Sequence, residues 1–148
     1  MLSFPEVNEF SDEVRRIFDA LDREHEPRCR SAAGVYMPPL DVVDTGDAVV
    51  VLVDLPGIRP SSIRVLVKNG NLIVAGEKVP PDGYAASASS FHLVEREFGR
   101  FARVVRLSVA VDAGQTHATF SRGLLKVSMP RIPERRGREI TVALDVEP

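Results

Sequence analysis

Side chains able to do covalent or metal chemistry are few in this chain, and they are poorly spaced for it. His25, His92 and His117 are scattered, and the single cysteine, Cys29, has no second thiol. Zinc sites need closely spaced pairs of ligands, and no such pair occurs. No G-x-S-x-G elbow presents a nucleophile on a strained turn, and no glycine-rich loop is available to cradle a phosphate. The expectation is a protein without catalytic residues, bound metal or cofactor. Arg131, Arg135, Arg136 and Arg138 could contact phosphates, but Glu134 and Glu139 dilute them and no aromatic residues interleave for base stacking. That cluster reads as a solvated tether, not a nucleic-acid site. Arg103 differs, because it shares a strand face with Val105 and Leu107, where an unpaired charge is costly to bury. It needs a partner, or it snorkels at a sheet edge.

The rest of the chain reads as a scaffold for binding. With 148 residues, 44% hydrophobic and 27% charged, it can form one domain with a core and flanking arms. A net charge of −2 gives no general attraction for nucleic acid or an anionic membrane. The longest apolar run, residues 48–53, is far too short for a spanning helix. Glu6, Glu9, Asp12 and Glu13 break up any secretion signal, and a lone cysteine fits a reducing compartment, so a cytoplasmic location is expected.

From Phe4 to Leu21, apolar residues recur at steps of three and four, which predicts an amphipathic helix. Ser3, Pro5 and Glu6 suit its capping box. A polar linker over 22–33 follows. Beyond Pro38-Pro39 the pattern changes to short β-rich runs. Residues 48–55 are nearly all apolar and stop at Asp54-Leu55-Pro56-Gly57. Ile63, Val65 and Val67 alternate, Asn69-Gly70 turns, and 72–75 completes a hairpin that Gly76 is expected to end. Residues 80–90, rich in Pro, Gly, Ala and Ser, read as a long loop. Alternating runs then cover 101–109, 116–120 and 125–129. Seven or eight short strands without an internal helix predict an immunoglobulin-like antiparallel β-sandwich. The expected division is an arm at 1–37, a sandwich at 38–131 and an extension at 132–148 that ends in the alternation Ile140, Val142, Leu144.

Five motifs in this order carry a resemblance. They are Pro39-Leu40-Asp41-Val42 with the Asp54-Leu55-Pro56-Gly57 turn; Leu72-Ile73-Val74-Ala75-Gly76-Glu77; Val94-Glu95-Arg96 through Gly99, Phe101 and Arg103; Ala118 through Gly123-Leu124-Leu125; and Ile140-Thr141-Val142. Together they resemble the small heat-shock protein family of bacterial and plant type, built on the α-crystallin domain, over roughly residues 38–142. Ser108 stands where the family usually has proline, Leu124 replaces a valine, and Val43-Asp44-Thr45 is a loose version of the opening motif.

The resemblance implies an ATP-independent holdase that binds partly unfolded clients and assembles from dimers into larger homo-oligomers. Ile140 and Val142 would be apolar knobs entering a groove formed by Ile63, Val65, Val67, Ala118 and Phe120 of another subunit. Residues near Tyr84 to Phe91 would add a strand to a neighbour, and Arg103 would be the dimer-interface arginine, held by carboxylates or main-chain carbonyls. Phe4, Phe10, Ile17 and Phe18 of the helical arm are the candidate client-binding residues. The alternative is a non-catalytic scaffold or co-chaperone adaptor that docks on a folded partner; an oligomer latch at 140–142 argues against it.

Overall fold

The computed structural model describes residues 4–24, 36–82 and 90–133, with helix side chains from 11 to 23. In chain order, α1 (Phe4–Glu24) precedes β1 (Leu40–Asp44), β2 (Ala48–Asp54), β3 (Ile63–Lys68), β4 (Asn71–Lys78), β5 (Gly99–Arg106), β6 (His117–Ser121) and β7 (Leu124–Pro130). One sheet has the order β1-β2-β7-β6 and the other β3-β4-β5, with every pairing antiparallel.

Alternation explains how the sheets meet. Val49, Val51 and Val53 of β2 lie opposite Met129, Val127 and Leu125 of β7, and all six are buried. Leu72, Val74, Phe101 and Val105 supply the inner face of the other sheet. Each such side chain contributes roughly 1.5–3 kcal/mol on leaving water. The β3–β4 hairpin turns at Asn69 and Gly70, both with positive φ, as a two-residue turn twisted to match its strands requires.

Two expectations change. Gly76 does not end β4, which runs on to Lys78. A Cβ at Gly76 would lie 2.5 Å from the Ser62 carbonyl oxygen and 2.9 Å from the Phe101 ring, so the glycine is there for close approach within a strand. β5 stops at Arg106, where the Leu107 amide donates to the Gly70 carbonyl and the chain bends at 108–109. Tyr36, which precedes the sandwich expected at 38–131, packs its ring into the core.

The helix lies across β4, on the sheet face away from the core. There Ile73 and Ala75 are almost completely buried, although alternation points both of them outward. Leu21 is buried and Val14, Ile17 and Phe18 are half-buried, while Asp12, Arg15, Arg16 and Asp19 face solvent. From Val14 to Leu21, the apolar stripe read from the sequence is therefore the docking face of α1. No described helix is long and apolar enough to cross a membrane.

Candidate functional site

The surfaces open to other chains lie at the strands that end each sheet. β1 exposes Val42 and Val43, at 49% and 43% of their surface. An exposed edge presents unpaired N–H and C=O groups and is a template for another strand. β3 and β6 end the two sheets elsewhere. Ile63, Val65 and Val67 of β3 and Phe120 of β6 pack at the fringe of the common core while staying partly open, and Ala118 is exposed. Val67 also lines an apolar pocket of about 290 Å³ with Val109, Ala110 and Val111, on the segment leading toward β6.

Arg103 points inward with Phe101 and Val105, and its guanidinium donates to the Pro38 carbonyl at 2.6 Å. Its partner is thus a main-chain carbonyl of its own chain, which ties β5 to the residues leading into β1. Nearby, Lys78 is only 7% exposed, with Nζ 4.7 Å from the Tyr36 ring centroid and 5.7 Å from that of Phe98. Arg96 covers Phe98 at 5.0 Å, and Tyr36 meets Phe101 edge to face at 5.7 Å. These contacts replace water around the ammonium with ring faces. They also join the two feet of the connection between β4 and β5. Within that connection Phe91, Leu93 and Val94 are each more than half exposed.

Ile17 and Phe18 sit on the docked side of α1, not on an open arm, and Phe18 lies 5.0 Å beneath the Arg100 guanidinium. Tyr84, Ile140 and Val142 lie outside the described residues, as do the side chains of Phe4 and Phe10. Among the described residues, no cluster of His, Cys, Asp and Glu is arranged to hold a metal ion.

A family model described as Hsp20/alpha crystallin matches residues 41–144, most of the chain. The chain belongs to this family. Heat shock protein 16 of Schizosaccharomyces pombe is 31% identical over 91% of this chain and 90% of its own. A 17.7 kDa class II heat shock protein of Arabidopsis thaliana is 34% identical over 70% of this chain and 67% of its own. Among solved structures, a small heat-shock protein from Xylella fastidiosa aligns with a TM-score of 0.61 and 29% identity, covering 75% of this chain and all of that one. The chain is thus a small heat-shock protein with an α-crystallin sandwich, and its family is one of stress-related chaperones.

In this small heat-shock protein, the Lys78–Tyr36–Phe98 cluster was missed by sequence reasoning. Its signal is the alternation Leu72, Val74, Gly76, which places Lys78 on the inner face of β4. Burial, reinforced by the charges of Asp54 and Glu97, pushes the Tyr36 phenol above its ordinary 10.0. Burial first, then Arg96, lowers the Lys78 ammonium below 10.5, with Glu97 opposing. The two act in opposite senses on stability. The Tyr36 contribution is whole below pH 10.0 and is lost as pH rises through the raised folded value. The cost of keeping Lys78 charged is present at neutral pH and is relieved as pH climbs from its lowered value to 10.5. The chain has two tyrosines. In a Tyr84→Phe variant, the phenolate absorbance of Tyr36 should therefore rise with a midpoint above pH 10.0 while the fold persists; a midpoint below it would contradict a buried ring.

Proposed function

We propose that this small heat-shock protein is an ATP-independent holdase of the cytoplasm that binds partly unfolded proteins and assembles from dimers into larger homo-oligomers. The observation that carries the reading is where apolar surface stays open: Val42 and Val43 on an edge strand, and Leu93 and Val94 on the connection that could reach a neighbour's edge. Strand addition would cover both at once, with main-chain hydrogen bonds supplying pairing and alternate side chains supplying selectivity. Residues from Tyr84 to Phe91 would form the exchanged strand. Arg103 would act on that interface as a positioning residue, by fixing the Pro38 carbonyl just before β1.

The extension, from 132, would then link dimers by placing Ile140 and Val142 over Ile63, Val65, Val67, Ala118 and Phe120 of another subunit. Client capture would fall to the arm, through Phe4 and Phe10 and, once α1 leaves the sheet, through Ile17 and Phe18, since burial of apolar surface is non-directional and needs no fixed site. The Xylella fastidiosa protein is described as having a distinct high-order structure, which supports assembly here.

The purified full chain, without ATP, should suppress light scattering from a heat-unfolding client at near-equimolar subunit ratio, and should elute as an assembly much larger than a dimer. Failure with several unrelated clients would remove the holdase reading. A monodisperse monomer would remove the assembly reading and favour an adaptor.

A further inference from the structure

The open fringe of β3 offers three apolar positions, and the knobs Ile140 and Val142 fill only two. Ile63, Val65 and Val67 all pack against the core and all stay half-buried. The row ends at Val67, because Asn69 and Gly70 turn the chain back at positive φ. Val67 differs from the other two in having a cavity beside it. Val109, Ala110, Val111 and Ala113 wall that space of about 290 Å³ with Val67. Pockets that take whole ligands run to roughly 300–1,000 Å³, so this one suits a single apolar side chain. Lys68 also borders it, but its ammonium lies 3.0 Å from Glu13 of α1. The far wall is fixed in place: the Ile132 amide donates to the Ala110 carbonyl, the Asp112 amide donates to the Pro130 carbonyl, and Val111 bridges to Arg131. Val109 and Val111 pack on the same fringe of the core as β3, so the cavity continues its row.

The sequence contains one segment that matches this row. Outside the described residues, 1–3, 25–35 and 83–89 carry no alternating aliphatic run, whereas 134–148 carries Ile140, Val142, Leu144 and Val146. Two residues of extended chain span about 6.5–7 Å in a tail as in a strand. With Ile140 at Ile63 and Val142 at Val65, Leu144 falls at Val67. We propose that the cavity beside Val67 is the binding site for Leu144 of another subunit's tail, so that the latch has three knobs and runs parallel to β3. This rests on the latch reading above and extends it. An apolar cavity left empty forfeits contacts along its walls, so filling it selects one register and one direction among those a row of similar aliphatic side chains permits. A tail shifted by two residues toward Ile63 leaves the cavity empty, and a reversed tail puts Ile140 there. Val146 has no seat, because β3 has already turned.

The test uses the full-length Ile140→Gly/Val142→Gly/Leu144→Gly chain as receptor, since its own tail cannot fill the groove, and a fluorescent peptide copying residues 136–148 as ligand, read by anisotropy. Leu144→Gly in the peptide should weaken binding roughly tenfold or more, as expected for losing one buried leucine side chain. Val146→Gly should change it less than about twofold. Ala110 and Ala113 are exposed on the cavity wall, so a larger side chain can enter the cavity from either without crossing the core. With Ala110→Phe added to the receptor, the unaltered and Leu144→Gly peptides should bind alike, because two changes at one contact are not additive. Ala113→Phe should do the same and replaces it if Ala110→Phe does not fold. A Leu144→Gly penalty that is equal with and without the filled cavity would overturn the proposal, as would a filled cavity that silences Ile140→Gly instead. Tight binding indifferent to Leu144 removes the third knob and leaves the latch. No binding of the unaltered peptide removes the latch reading and this inference with it.

Discussion

Phe101→Ala should destabilise the sandwich by about 3–5 kcal/mol, the range for truncating a fully buried aromatic ring. The ring is 2% exposed and is clasped from two directions. The bare Cα of Gly76 lets it approach β4 more closely than any Cβ would allow, and Tyr36 meets it edge to face. Alanine removes the ring from both contacts, and the neighbours cannot collapse into the space without moving the β4 backbone or the lead-in to β1. Domains of this size have only about 5–15 kcal/mol in total, so the variant should lie near the edge of folding. Urea denaturation of the full chain should show the midpoint falling in proportion at unchanged slope. The same substitution loosens Tyr36, and with it the ring faces around Lys78, so the tyrosine titration should move toward its ordinary 10.0. A loss below about 1 kcal/mol would mean that the ring is not clasped as described, because such small effects belong to exposed sites.

The physics behind Phe101 also explains which parts of the molecule could be read from sequence. Strands with one wet face announce themselves by alternation, as β3, β5 and β7 do, and the Asn69-Gly70 turn needs no tertiary information. β4 is different. Leu72 to Ala75 is apolar on both faces because one packs on the core and the other lies under α1. The outward half of that run is a second dry face, and the stripe of α1 is what covers it. The run alone does not require a cover, since β2 is as apolar and its outward Val50 and Leu52 stay half-buried. The cluster of Lys78, Phe98 and Tyr36 was harder, because it assembles residues from three separated segments around a buried cation, and charge patterning assigns lysine to the surface by default. The residues of the candidate groove were legible as an alternation. Whether they close the core or receive another chain was not, since both uses demand the same apolar face.

That ambiguity is settled by a substitution on the groove and not on the knobs. Ala118 is exposed on β6, opposite the fully buried Val127, and lies on the same strand face as Phe120. Ala118→Glu should leave the monomer fold close to unchanged, because the new side chain can reach water. In the proposed assembly it would hold an unpaired carboxylate where the latch seats Ile140 or Val142, and burying such a charge costs several kcal/mol. The expected result is collapse of the assembly to dimers in size-exclusion chromatography with light scattering. The change should be abrupt: in the proposed assembly each dimer would be held by more than one tail, so weakening every contact together also removes the effective-concentration advantage of the others. Ile140→Gly/Val142→Gly should reach the same dimer endpoint, and combining the changes should go no further, since groove and knob are two sides of one contact. Thr119→Glu, one residue along β6 on the opposite strand face, is the control that should keep the assembly intact. If Ala118→Glu retains full mass while the tail variant loses it, the knobs seat elsewhere, and the open fringe of Ile63, Val65, Val67 and Phe120 is simply the end of the core.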